Sequence, residues 1–214
     1  LESLPTDLSL AAENGPTACV VAGPTAAIEA WRLRLDAEGV AARLLQTSHA
    51  FHSTMMDPAV VPFEAEVRKV TLSAPRMAIA STLTGTWLSD ADATDPNYWA
   101  RHLREAVRFS PALRTAQERH PTAAFLEVGP RATLATLARQ HARPGSGAPA
   151  AVSSLGDSTD AEVAQLLLAQ GQLWTLGVEL ESSTATPPHG RHRVRLPSYP
   201  FERKRHWLDA VRAR

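Results

Sequence analysis

The residues best suited to chemistry lie in one short run, Ser48-His49-Ala50-Phe51-His52-Ser53, with Met55 and Met56 close behind. Two histidines three positions apart permit several roles. A metal site needs a third or fourth ligand, and no His-x-x-x-His or Cys-x-x-Cys partner occurs in the chain, so no metal is predicted. Each histidine could instead be a structural or surface residue. The remaining role is a general base, for which imidazole is the natural side chain near neutral pH. A base implies a nucleophile to activate. No Gly-x-Ser-x-Gly occurs, and Ser53, Ser153 and Ser154 lack the flanking glycines of a strained elbow. Cys19 sits in an apolar run and is expected to be buried and inert.

The elements that must carry this run can be read from turn and cap signals. Leu8–Glu13 and Ala18–Gly23 are short β-type runs around Asn14-Gly15-Pro16, a hairpin signal. A helix is predicted from Pro24 to Gly39, with Ile28, Trp31, Leu33 and Leu35 on its apolar side, and a strand over Val40–Thr47. The order β-β-α-β is a ferredoxin-like unit without its first β-α. After the polar loop 48–53, a helix is expected over Pro58–Val67, with Val60, Val61, Phe63 and Val67 inward, then a short strand over Ala78–Leu83. Asp95-Pro96 and Ser110-Pro111 each start a helix. Ala123–Val128 is a strand, Gly129-Pro130 a turn and Thr133–His141 a helix; beyond a connector at 143–149 come a strand (Ala151–Leu155) and a long helix (Asp160–Leu176). Strands alternating with helices argue for a parallel or mixed sheet.

Composition narrows the function classes. The formal net charge over 214 residues is zero, so no global field points to nucleic acid or a membrane surface. No run approaches the length of a membrane span, and a single cysteine excludes an internal disulfide; a cytoplasmic setting is the default expectation. From His189 to Arg214 there are eight Lys/Arg against two Asp/Glu. That stretch has no nucleic-acid fold signature. With prolines at 197 and 200 and aromatics at 199, 201 and 207, it reads as an extended arm.

Ser-His-Ala-Phe-His-Ser followed by Met-Met-Asp-Pro (55–58) is similar to the signature of malonyl-selective acyltransferase domains of modular polyketide synthases. Further segments resemble the same family in the same order: 10–16 (Leu-Ala-Ala-Glu-Asn-Gly-Pro), 98–104 (Tyr-Trp-Ala-Arg-His-Leu-Arg), 107–109 (Val-Arg-Phe), 125–130 (Phe-Leu-Glu-Val-Gly-Pro) and 196–208 (Leu-Pro-Ser-Tyr-Pro-Phe-Glu-Arg-Lys-Arg-His-Trp-Leu). The resemblance implies an α/β fold: part of a ferredoxin-like small subdomain (1–48), the catalytic-histidine loop and the C-terminal part of an α/β-hydrolase-like large subdomain (49–145), and a strand, helix and post-domain linker arm (146–214). It implies His52 as the base that takes a serine proton and later activates a carrier-protein thiol. It implies that a backbone carbonyl in the loop 107–109, at Arg108, orients the imidazole. The family's nucleophile, in Gly-His-Ser-x-Gly, and its carboxylate-binding arginine belong upstream of the matched segments, so the chain reads as a fragment that is inactive alone.

His49 and Phe51 fall at the selectivity positions: members that choose methylmalonyl-CoA have Tyr-Ala-Ser-His where this chain has His-Ala-Phe-His. A methyl forced into a filled pocket costs about 1–3 kcal/mol; the alternative is that Phe51 only packs. Two departures stand out, Ala106 where the family usually has Pro and Arg131 where Gly or His is common. No cofactor is expected to be bound; malonyl-CoA is the implied substrate, and phosphopantetheine is carried by the partner acyl carrier protein. The ketosynthase and linker domain of the same polypeptide are further implied partners, with Tyr199, Phe201 and Trp207 as anchors. Two rival readings are a non-catalytic scaffold between ketosynthase and later domains, and an independent hydrolase, which would need a nucleophile of its own.

Overall fold

A computed structural model describes residues 4–142, 145, 147–180 and 195–204. The chain divides into two units, Leu1–Val178 and Glu179–Arg214. The first opens with an antiparallel hairpin, β1 (Ser9–Gly15) and β2 (Ala18–Ala22). Asn14 and Gly15, expected in the turn, belong to β1 instead. The ladder runs on to Gly15 opposite Ala18, and Pro16-Thr17 makes the turn. Helix α1 (Thr25–Ala37) follows behind Pro24. It stops at Gly39, whose φ of 73° lets Val40 N–H donate to the Leu35 carbonyl at 2.8 Å and close the last turn. None of its side chains is buried.

The strand expected over Val40–Thr47 does not form. Val40, Leu44 and Leu45 are about half exposed, and no described strand lies beside them. An extended segment becomes a strand only when a neighbour takes up its backbone hydrogen bonds, so β-type composition alone did not suffice here. The helix after the histidine loop is α2 (Asp57–Val67), entered through a 3₁₀ turn at Thr54–Met56. Its inward side is Val60, Glu64 and Val67, while Val61 and Phe63 face outward, contrary to the expected inner face. Ala78–Leu83 is likewise not a strand. It supplies one side of a tight loop in which Ala80 bridges Trp87 and Gly85 N–H donates to the Ser81 carbonyl.

Helices α3 (Asp90–Ala93) and α4 (Pro96–Arg104) come next. Asp95 caps α4 as its position before Pro96 predicts, its carboxylate accepting from Asn97 N–H at 2.9 Å. Tyr98 is buried and its hydroxyl meets that of Ser81, while Trp99 donates its indole N–H to the Ala93 carbonyl at 3.0 Å. Helix α5 (Phe109–Arg119) starts two residues before Pro111. The remainder is a β-α-β unit, β3 (Phe125–Glu127), α6 (Thr133–Arg139) and β4 (Ala151–Ser153), with the strands parallel as the alternating pattern predicts. The Glu127 carboxylate reaches the open amides of α6, accepting from Leu134 N–H at 3.1 Å and Ala135 N–H at 2.8 Å.

Among the described residues two clusters of buried apolar side chains pack together. Leu113, Ala135, Ala138 and Ala151 pack with Phe109 and Phe125; Val152, Ala169 and Leu173 of α7 (Glu162–Thr175) pack with Ala124 and Val178. Several large apolar side chains stay outside them, among them Val61, Val128 and Trp174. Cys19 is exposed, not buried as expected; it stands opposite Glu13 in a two-stranded ladder. In the second unit the Tyr199 and Phe201 rings meet edge-on at 4.9 Å around Pro200, and Lys204 pairs with Glu202 at 2.9 Å. Trp207 lies outside the described residues.

Candidate active site

The histidine loop is built on a serine. Ser53 is fully buried; its hydroxyl donates to the Ala50 carbonyl at 2.6 Å and accepts from Met55 N–H at 3.2 Å. That serine therefore shapes the loop and starts the 3₁₀ turn. The preceding residue, His52, takes φ = 60°, a left-handed conformation uncommon for a residue that carries a Cβ. Two hydrogen bonds to the end of α4 hold it there. His52 N–H donates to the Leu103 carbonyl at 3.2 Å, and the ring Nδ1 lies 2.8 Å from the Glu105 carbonyl. Helix ends leave carbonyls without intrahelical donors, and the histidine takes up two from this stretch.

A carbonyl only accepts, so Nδ1 must carry the ring proton and Nε2 is left as the acceptor. This is the tautomer a general base needs. The orienting group is Glu105, not Arg108 as expected. The carbonyls of the predicted loop are already engaged: that of Val107 accepts from Glu13 N–H at 2.8 Å, and that of Arg108 accepts from Ala112 N–H at 3.0 Å, the first bond of α5. The Arg108 contribution is its own N–H, donated to the Thr82 carbonyl at 2.6 Å. With Val107 N–H donating to the Ala11 carbonyl at 2.8 Å, the backbone just after Glu105 is pinned to β1 and to the 81–85 loop. Ala106, in place of the family's usual Pro, leaves this arrangement intact.

The charged surroundings are ordered. The Glu105 carboxylate takes Arg101 Nε at 2.6 Å and Nη2 at 3.3 Å, and that hydrogen-bonded pairing holds its pKa below the ordinary value against the effect of burial. Arg104 forms an ion pair with Asp57, the first residue of α2. His102 lies stacked on Trp99, ring centroids 5.7 Å apart, and edge-on to Tyr98 at 5.0 Å. Its Nε2 is buried with no hydrogen-bond partner among the described residues. Burial first, then the charges of His52 and Arg101, push its pKa down. His102 is thus held neutral beside the residue that would become cationic in a proton transfer.

The other predicted residues are placed more openly. His49 is exposed, its Nδ1 3.0 Å from the Ser48 hydroxyl, and its ring leans on Phe51 with centroids 5.8 Å apart. Phe51 is 43% exposed, so it has no filled pocket around it within these residues. Ser153 and Ser154 are buried and donate to the Arg131 and Glu127 carbonyls. A second serine–histidine contact exists in the core, where Ser110 Oγ lies 2.9 Å from His141 Nε2 and His141 Nδ1 lies 2.9 Å from the Leu137 carbonyl. Both residues are buried, so this pair ties α5 to the segment just after α6 without access to a substrate. A cavity of about 280 Å³ lies beside Arg131, Ser153 and Gln165, and its lining includes no residue of the histidine loop.

Sequence reasoning missed Glu105, His102 and the Arg104–Asp57 pair. Asp57 was within reach, as part of Met-Met-Asp-Pro, but its partner lies 47 positions away.

Comparison with known proteins places the chain among relatives. The chain is 37% identical over 210 residues to a phenolphthiocerol/phthiocerol polyketide synthase of Mycobacterium tuberculosis (strain CDC 1551 / Oshkosh), covering 96% of this chain and 14% of that protein. It superposes on the acyl transferase domain of SpnD in complex with 2-(pent-4-yn-1-yl)malonyl with a TM-score of 0.76 at 37% identity, over 81% of this chain and 42% of that one. The acyltransferase domain from the second module of the salinomycin polyketide synthase gives a TM-score of 0.71 at 34% identity, over 80% and 39% of the two chains. The chain thus spans less than half the length of these solved domains and a small part of the curated relative. With residues 2–179 matching the profile of the acyl transferase domain, the chain belongs to that family.

Proposed function

We propose that this chain supplies the general base of a malonyl-CoA:acyl-carrier-protein transacylase domain in a modular polyketide synthase. The observation that carries the reading is the His52 Nδ1 contact to the Glu105 carbonyl at 2.8 Å, which leaves Nε2 free to accept a proton. The nucleophile is a serine in a Gly-His-Ser-x-Gly elbow, a motif this sequence does not contain. That hydroxyl attacks the malonyl thioester carbonyl as Nε2 takes its proton. The imidazolium then protonates the departing coenzyme A thiolate, leaving a malonyl ester on serine. In the second half-reaction Nε2 accepts the proton of the phosphopantetheine thiol on the acyl carrier protein, the thiolate attacks the ester carbonyl and takes the malonyl group, and the imidazolium returns the proton to the departing serine oxygen. A positioned base of this kind contributes roughly 10²–10⁴ in rate. A neutral His102 nearby avoids placing a second cation beside the imidazolium.

His49 and Phe51 are proposed to set the choice of malonyl over methylmalonyl. The reading calls for no bound cofactor and no metal. The arm around Tyr199 and Phe201, both exposed, suits docking on the ketosynthase and linker of the same polypeptide. The subdomain boundaries at 48/49 and 145/146 belong to the same proposal, as does a cytoplasmic setting; among the described residues no helix is long and apolar enough to cross a membrane. The scaffold reading, favoured by the lack of the elbow motif in these residues, is separated by one experiment. Labelled malonyl-CoA should leave no ester on this chain alone, by intact mass. A domain joining this chain to the elbow serine should acquire one malonyl group and pass it to the carrier protein. His52→Ala in that domain should lower turnover by at least about 10² with little change in substrate affinity. An ester on this chain alone would refute the division of labour, and normal turnover in His52→Ala would leave the scaffold reading standing.

A further inference from the structure

We propose that Arg104 and Asp57 are positioning residues for His52, clamping the start of α2 onto the end of α4 so that the imidazole is aimed. The inference rests on the reading of His52 as base, and it starts from how the histidine is held. Three consecutive residues near the end of α4 grip the loop at two places. Leu103 and Glu105 offer their carbonyls to His52, and Arg104 between them pairs with Asp57, five residues farther along the loop. The segment in between has little slack. Ser53 is buried and ties back to Ala50 and Met55, and Met56 N–H donates to the Ser53 carbonyl at 3.0 Å. A rigid segment fixed at both ends fixes direction as well as position.

Such a grip is needed because His52 sits at φ = 60°, a conformation that persists only where its surroundings over-determine it. The backbone bond to Leu103, at 3.2 Å, is the longer of the two that hold the residue. The other bond is through the ring itself, which must stay in place while Nε2 gains and loses a proton. The Arg104–Asp57 pair adds a further hold on the loop that, like the backbone bond to Leu103, does not touch the ring. Arg104 is free for this task because the nearby Glu105 carboxylate is committed to Arg101.

The pair also suits the helix termini, an acid on the first turn of α2 and a base on the last turn of α4. That bland role and the positioning role predict different things. The two side chains are 33% and 57% exposed, and exposed pairs add little to global stability. If the pair only complements the helix ends, its loss should leave catalysis alone.

The test uses the acyltransferase domain that contains both this chain and the elbow serine, with malonyl transfer to the carrier protein and the urea unfolding midpoint read side by side. Arg104→Gln and Asp57→Asn should each lower kcat by about 10- to 100-fold with KM nearly unchanged, as misplacement of a reacting group does. The double variant should lose no more than the worse single, and Arg104→Lys should recover most of the rate. The unfolding midpoint should stay close to that of the parent. Unchanged kcat in both singles, additive losses in the double, or losses that follow the unfolding midpoint would overturn the clamp. His52→Ala run in parallel separates the two levels: if it is inactive while Arg104→Gln is normal, the clamp alone fails; if it is active, the base assignment fails and takes the clamp with it.

Discussion

Replacing Gly85 with Ala should destabilise this chain by about 2–4 kcal/mol, from two separable causes. Gly85 has φ = 78°, and a Cβ there would stand 2.6 Å from the Cβ of Pro111. The left-handed conformation costs an L-residue about 1 kcal/mol. The contact is closer than any relaxed carbon pair, and Pro111 cannot swing away, because its ring is part of the α5 backbone. Forcing the loop from α5 adds about 1–3 kcal/mol. The same shift would loosen Thr115 Oγ1, which donates to the Gly85 carbonyl at 2.7 Å, and the bond from Arg108 N–H to the Thr82 carbonyl. Urea unfolding of parent and variant, compared by midpoint at equal slope, measures the loss. Gly85→Asn serves as the control, since Asn tolerates the left-handed region but carries the same Cβ; it should recover part of the loss and no more. A Gly85→Ala midpoint within about 0.5 kcal/mol of the parent would show that the 81–85 loop is not packed on α5 as described.

Further outcomes follow from the same geometry. Ser110→Ala should cost about 1–3 kcal/mol, because it leaves the buried His141 Nε2 without its hydroxyl partner, whereas Ser110→Ala combined with His141→Phe should cost less than the two singles together. His102 has its folded pKa lowered, so around pH 6 the unfolded chain binds more protons than the folded one. Its contribution to stability is therefore complete above the ordinary histidine range and is lost as pH falls through it; urea midpoints between about pH 7 and about pH 5 should drop less in His102→Phe than in the parent. Phe51→Ser, in the domain with the elbow serine, should narrow the malonyl preference over methylmalonyl by about 10- to 200-fold; unchanged selectivity in competition assays would assign Phe51 to packing.

What the sequence revealed of this structure follows how local the governing interaction is. The start of α4 needs only Asp95 beside Pro96, and α1 stops where Gly39 allows a left-handed turn. Both were readable because cap and stop lie within a few residues of what they control. Val40–Thr47 carries a β-type pattern but no described partner for its backbone, and no local signal reports a missing neighbour. The orienting carbonyl was expected at Arg108, yet it belongs to Glu105, because α5 claims the Arg108 carbonyl and β1 claims that of Val107. That competition among donors is decided only once β1 and α5 are docked. The His52 assignment came from a motif, while its left-handed backbone and the Leu103 contact that holds it are tertiary. That the His102 Nε2 is buried with no hydrogen-bond partner among the described residues is likewise a property of packing.

The most direct test of the account reads the His52 ring itself. Long-range ¹⁵N–¹H spectra of this chain, with His52→Gln to assign the signals, report which ring nitrogen carries the proton in the neutral form. The account predicts the proton on Nδ1, hydrogen-bonded to the Glu105 carbonyl, with Nε2 unprotonated. A neutral ring protonated on Nε2 would mean that Nδ1 does not donate to that carbonyl and that no acceptor nitrogen is presented, and the assignment of His52 as the base would be wrong.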